Sequence, residues 1–157
     1  MSYVPVALQV YNALYAAISE GFSDELVALG QPGLPDGAFV PRHPALLAQE
    51  TVGLVYAATS RELQTKYWQE TGYAFELQLF GFGADPGLIQ QRIIYLEYAA
   101  CQVLWKNRTL GGLLVTLSIG DTQPAPMLQH VSGQICDGSI LPITCQPAIR
   151  VAIPEHS

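Results

Sequence analysis

Between residues 5 and 19, apolar side chains recur at helical spacing: Val6, Val10, Leu14, Ala17 and Ile18 fall on one side. Pro5 suits the first turn of that helix, where its missing N–H would find no partner in any case. The pattern loosens at Gly21 and Ser23. A short helical turn over 23–29 is expected next, with Ser23 as N-cap and Gly30 at its end. Residues 30–46 then form a connection rich in proline and glycine (Gly30, Pro32, Gly33, Pro35, Gly37, Pro41, Pro44). It is too short for an interdomain linker and too long for an ordinary turn, and loops of that length usually carry interactions.

The period then changes to two. Over 51–58, Val52, Leu54 and Tyr56 share one side. Over 73–80, Tyr73, Phe75, Leu77 and Leu79 face one way and Ala74, Glu76 and Gln78 the other, the signature of a half-buried strand. Residues 59–72 hold Arg61, Glu62, Lys66 and Glu70 and read as an exposed connection between two antiparallel strands. The clearest element is a helix over 86–107. Asp85 is a natural N-cap and Pro86 a natural first residue. Ile89, Ile93, Leu96, Ala100, Val103 and Leu104 form its apolar face, and Lys106 and Arg108 suit its C-terminal dipole. Gly111-Gly112 turns the chain into an alternating strand over 113–119. A polar stretch over 120–138 precedes strand-like segments over 140–145 and 148–153, which Pro142 and Pro147 assign to an edge, a bend or a bulge. The order predicts an α+β domain spanning residues 1–157, with a largely antiparallel sheet and two main helices on one face.

Composition alters this picture in one respect. The chain has 157 residues, of which half are hydrophobic and only 13% charged, and its mean hydropathy is +0.24. Soluble domains ordinarily carry about 25% charged residues, so much of this surface is expected to be covered by other subunits. Such a composition excludes intrinsic disorder. Seven basic residues against thirteen acidic ones exclude a basic nucleic-acid surface. Residues 1–19 carry no charge, but no Lys or Arg precedes the apolar stretch and Pro5, Gln9 and Asn12 interrupt it, so a packed helix is expected rather than a signal peptide. No run approaches the roughly 18 apolar residues that cross a bilayer. Five acidic residues (Glu20, Asp24, Glu25, Asp36, Glu50) against one basic, Arg42, make 20–50 either a solvated acidic stretch or a surface past which DNA slides without sticking.

Candidate chemistry is sparse. Cys101, Cys136 and Cys145 form no paired framework and read as small core residues of a reducing compartment. Gly81-Phe82-Gly83-Ala84-Asp85-Pro86-Gly87 follows a strand and opens a helix, as a dinucleotide loop would. Its spacing is wrong, however, and Asp85 places a carboxylate where a pyrophosphate needs bare N–H groups. His130 and Cys136, with Asp137 or Asp121, can be drawn as a nucleophile and base, but nothing fixes their geometry. A metal site from His130, Cys136 and Cys145 lacks any recognised ligand spacing. No catalytic, cofactor-binding or metal residues are therefore assigned. Tyr95, Tyr98 and Trp105 lie on the main helix outside its core stripe and suit either a doubly buried helix or a subunit interface.

The run from Ile93 to Asp121, with Asn107-Arg108-Thr109-Leu110-Gly111-Gly112-Leu113 between helix and strand, resembles the tail terminator proteins of long-tailed phages. The order of elements is similar across most of the chain. The resemblance implies a virion structural protein, not an enzyme, forming a homohexameric ring. That ring would cap the head-proximal end of the tail tube, contact the tube protein and a neck or head-completion protein, and pass DNA through its lumen without specific binding. It implies no cofactor and no membrane, and a subunit assembled in the host cytoplasm into the tail or neck. A related neck or head–tail joining protein of the same fold, or a small-molecule-binding or hydrolytic domain, remain the alternatives. For the interface, Phe39, Val40, Leu128 and Val131 are expected in loops that become buried on assembly, with Tyr95 and Tyr98 as helix anchors.

Overall fold

The computed structural model describes residues 4–42, 46–125, 129–130, 135–148 and 151–154. Its first element, α1 (Val6–Ala28), is one uninterrupted helix rather than a helix ending near residue 19 followed by a turn. The reason lies in its buried residues: Val6, Val10, Leu14, Ile18, Phe22 and Leu26 occur at every fourth position, straight through Gly21 and Ser23. Burying Phe22 and Leu26 outweighs the roughly 1 kcal/mol that a glycine costs inside a helix. Each step of four advances about 40° around the axis, so the stripe winds and meets different partners along its length. Near its start Tyr11 donates its hydroxyl to the Leu54 carbonyl at 2.8 Å, and near its end Glu25 pairs with Lys106 of the second helix. Ser23 does not cap; its hydroxyl accepts the Leu34 N–H at 3.1 Å and so holds the long loop against the helix. Gly30, at φ +76°, does end the helix. The Gly30 and Gln31 N–H groups return to the Val27 and Leu26 carbonyls, each at 2.9 Å, in a Schellman arrangement.

Among the described residues nine strands occur, in chain order β1 (Phe39–Val40), β2 (Leu46–Leu47), β3 (Thr51–Leu63), β4 (Tyr67–Gly83), β5 (Leu114–Ile119), β6 (Gln123–Pro124), β7 (Gln129–His130), β8 (Ile135–Pro147) and β9 (Val151–Pro154). The main sheet runs β1-β3-β4-β8-β5, with β6 beside β8 and β9 beside β4, and β2 pairs with β7 apart from it. The long ladders are antiparallel, while the two-residue pairs β1–β3 and β2–β7 are parallel. The expected exposed connection over 59–72 is instead two continuing strands. The β3–β4 ladder extends to Leu63↔Trp68, through register shifts between Tyr56 and Ala58 and between Ser60 and Arg61. β9 joins β4 over Glu70↔Val151 to Tyr67↔Pro154, so this end of the sheet is a three-stranded arm. Its charges reflect exposure on both faces, not loss of the strand. Pro142 is likewise in the interior strand β8, not at an edge. It falls at the break between β5 and β6, where its carbonyl accepts the Gly120 N–H at 2.9 Å and its missing donor leaves no ladder bond unmade.

The helices cover one face of the sheet. Tyr73, Phe75, Leu77 and Leu79 of β4, Val52 and Leu54 of β3, and Leu141, Ile143 and Cys145 of β8 pack with the buried faces of α1 and of α2 (Pro86–Lys106). On the far face Phe80 is buried beside Thr51 and Gln78, and its ring lies where a Cβ on Gly138 would stand, 2.5 Å from Cδ1. On the helix face, a Cβ on Gly81 would stand 2.8 Å from Ile89 Cγ2, so this glycine sets how closely α2 approaches β4. As expected, Asp85 caps α2, accepting from the Gly87 N–H at 2.9 Å and the Leu88 N–H at 3.4 Å. At the other end Leu110, Gly111 and Gly112 have φ of 46°, 68° and 95° in succession. That left-handed run reverses the chain into β5 and explains both glycines of the Asn107–Leu113 segment.

Candidate interaction surfaces

α2 buries Ile89, Ile93, Leu96, Ala99, Ala100, Val103 and Leu104. Its opposite side carries Ile94, Tyr95, Tyr98 and Trp105 with Gln91 and Gln102, and at 100° per residue these six fall within about 100° of arc. No charged residue lies among them. Tyr98 and Trp105 are 63% and 64% exposed, Ile94 is 52% and Tyr95 36%. Lys106, at the edge of this sector, is turned toward Glu25, and Arg108 stacks over the Trp105 ring at 4.6 Å. Tyr95 and Tyr98 therefore stand on an outer face that, apart from the Arg108 guanidinium on Trp105, bears no charge, and no described element lies over it.

Phe39 and Val40 are not loop residues. They form β1 beside Val52 and Gly53, and both are half-buried. Phe39 meets Tyr15 edge-on, with ring centroids 4.8 Å apart, and its carbonyl accepts the Tyr15 hydroxyl at 3.4 Å. An aspartate at Phe39 would attack the subunit's own packing. Leu128 and Val131 lie outside the described residues.

Two further surfaces went unread in the sequence. On the arm, Leu63 and Trp68 are directly paired, so they share a face, and they are 60% and 44% exposed. With solvent on both faces of the arm, no alternation marked them. Nearer the start of β3, past the short pairing with β1, an open cleft of about 480 Å3 lies between the first turns of α1 and the Leu54–Tyr56 stretch of β3. It is lined by Pro5, Ala7, Leu8, Tyr11, Pro41, Arg42, Leu54, Val55 and Tyr56, and its walls are almost wholly apolar. Burial, and then the neighbouring Tyr15, raise the Tyr11 phenol above its ordinary value, so it keeps the proton that it donates to the Leu54 carbonyl.

The remaining candidates resolve into structural roles. Asp85 occupies the N–H groups that a phosphate would need at Gly87 and Leu88. Of the acidic residues over 20–50, Glu25 pairs with Lys106 and Glu50 grips Arg92 at 2.7 and 2.8 Å. A polar cleft of about 710 Å3 beside α2 contains Glu97 and Asp137. Thr122 donates to Glu97 at 2.5 Å, and the Gly138 N–H donates to Asp137 at 2.9 Å. Cys145 is buried on the helix face, where burial pushes its thiol up to about 12; burial and then Glu97 raise Cys101. Among the described residues no group of His, Cys, Asp and Glu could hold a metal ion. His43 and His156 lie outside the described residues, as do the side chains of His130 and Cys136. No described helix is long and apolar enough to cross a membrane. No family model matches this chain, and no curated protein matches it.

Proposed function

We propose that this chain is a structural subunit of a closed homo-oligomer. More particularly, it acts as a tail terminator of a long-tailed phage, a ring of about six copies that caps the tail tube and joins it to the neck. The observation that carries the first step is the outer face of α2, where Ile94, Tyr95, Tyr98 and Trp105 are exposed with no charge but the Arg108 guanidinium on the Trp105 ring. Interfaces are enriched in such aromatic residues. A chain with 13% charged residues also needs neighbours to cover it. Heterologous contacts that close after a fixed rotation give a ring. The second step rests on the resemblance of the α2–turn–β5 segment to that family, and the left-handed turn at Leu110, Gly111 and Gly112 gives its glycines a physical reason.

Light scattering with negative-stain imaging tests both steps. The expected result is a ring near six subunits that Tyr98→Asp reduces to a folded monomer, and that binds the end of purified tail tubes. A chain that stays monomeric at high concentration, with and without tubes, overturns the reading. A ring that ignores tubes but binds an isolated neck component moves it to the related head–tail joining role.

A further inference from the structure

We infer that the polar cleft beside α2 is a binding site for an organic cation, an ammonium or guanidinium carried on an aliphatic stem. The inference does not depend on the ring. The cleft holds about 710 Å3, within the usual span of ligand sites. One wall is a flank of α2, where Gln90, Ile94 and Glu97 fall within about 60° of arc at 100° per residue. The other wall is the sheet. Register sets Asp137 opposite Gly81, and Ser139 opposite both Leu79 and Pro124, so Pro124, Asp137 and Ser139 lie on the helix face beneath that flank. Two carboxylates thus come from opposite walls. Each has one oxygen engaged inside the subunit, Glu97 by the Thr122 hydroxyl at 2.5 Å and Asp137 by the Gly138 N–H at 2.9 Å. The second oxygen of each, the Gln90 amide and the Ser139 hydroxyl have no hydrogen-bond partner among the described residues. Nor does any described cation line the cleft. The neighbouring sequence brings none: residues 120–138 contain no Lys or Arg, and Arg92 lies about 160° round the helix from Gln90 and is held by Glu50. The charge of Glu97 is felt nearby, for after burial it is what raises the Cys101 thiol. A head that donates several hydrogen bonds and carries positive charge satisfies both walls, and its stem lies along Ile94 and Pro124. An anion would be repelled, and an apolar ligand would strand the polar groups. The head has two sources: a free amine, or a Lys or Arg side chain of another chain docked on the outer face of α2, which shares Ile94 with the cleft.

Titration of the folded chain with Nα-acetyl-arginine amide and with putrescine, followed by nuclear magnetic resonance, tests this. Saturable shifts are expected at the Gln90 side-chain amide and at the backbone amides of Asp137 and Ser139. Glu97→Gln and Asp137→Asn keep the acceptors that hold Thr122 and the Gly138 N–H, so their circular dichroism and melting temperature should match wild type. Each should weaken binding by about tenfold, the worth of one hydrogen bond to a charged group. Glu62→Gln, on the arm, should leave it unchanged. Nα-acetyl-citrulline amide, the same shape without the charge, should not bind. A second readout needs no variant: a cation beside Glu97 offsets its effect on Cys101, so saturating ligand should speed alkylation of Cys101 but not of Cys145. Tighter binding of the arginine derivative assigns the cleft to a side chain of another protein, and tighter binding of putrescine assigns it to a free amine. No shift with either at millimolar concentration, shifts that survive the two substitutions together, or equal binding of the citrulline derivative overturns the inference.

Discussion

Among the described residues Arg92 is the one cation held within the fold, and removing it or its partner gives a sharp test of how α2 is held. Its Nε and Nη2 reach the two Glu50 oxygens at 2.7 and 2.8 Å, Nη2 also meets the Gly33 carbonyl at 3.4 Å, and Nη1 is buried without a partner. The side chains are 16% and 13% exposed, so most of their hydration is gone. Breaking a fully buried pair costs about 3–5 kcal/mol. With some water still reaching this one, Glu50→Leu and Arg92→Met should each cost about 2 kcal/mol. At this chain length that lowers the melting temperature by about 4–8 °C. The double variant should cost no more than about 1 kcal/mol, because it leaves no orphaned charge and removes the unsatisfied Nη1 as well. The coupling from a double-mutant cycle in urea is then about 3 kcal/mol. Arg92→Met should also speed hydrogen exchange at the Leu34 amide, since the Gly33 contact goes with it. Strictly additive costs, or single variants within 0.5 kcal/mol of wild type as is usual for a surface pair, would refute the assignment of this pair as the clamp between loop, sheet and helix.

Other outcomes follow from the same geometry. Gly138→Ala puts a Cβ against the Phe80 ring and 2.8 Å from the Leu79 carbonyl, and should cost about 2–3 kcal/mol in chemical denaturation. Asp85→Ala should cost about 1 kcal/mol and fray the first turn of α2, seen as faster exchange at Gly87 and Leu88. Gly112→Ala has room for its methyl but not the φ of 95°, so it should destabilise by about 1 kcal/mol, whereas Gly87→Ala should not. Cys145 titrates at about 12 when folded against an ordinary value of 9.0. The unfolded chain thus loses this proton first, and stability should be full below about pH 9 and fall as pH rises toward 12. Cys145→Val should flatten that fall. Peptide-level alkylation at pH 8 should modify Cys101 before Cys145.

How much could be read from the chain depended on how far each element answers to one environment. α2 lies over one sheet face with a capped start, and its period and boundary were plain. The end of α1 was obscured because Gly21 and Ser23 favour a break locally, while Phe22 and Leu26 are paid back only through tertiary burial; the four-residue stripe from Val6 carried the signal. The arm was hidden for the opposite reason. With solvent on both faces, residues 59–72 have no alternation to show, and only the paired ladder holds them as strands. Two-residue strands such as Phe39–Val40 are shorter than any period. The candidate surfaces divided in the same way. Tyr95 and Tyr98 were legible because a helix has a reckonable outer face. The cleft, assembled from α1, β3 and the Pro41 turn, joins residues that no local pattern connects.

The chain has two tryptophans, and both stand in solvent: Trp68 on the arm and Trp105 on the outer face of α2. Intrinsic fluorescence is therefore uncoupled from the core. Unfolding the isolated subunit should barely move the emission maximum, since both indoles are already hydrated. Association that seats them should shift it to the blue and shield it from iodide quenching. The protein carries its own optical reporter of assembly, one insensitive to folding, and Trp68→Phe and Trp105→Phe would separate the signal of the arm from that of the helix.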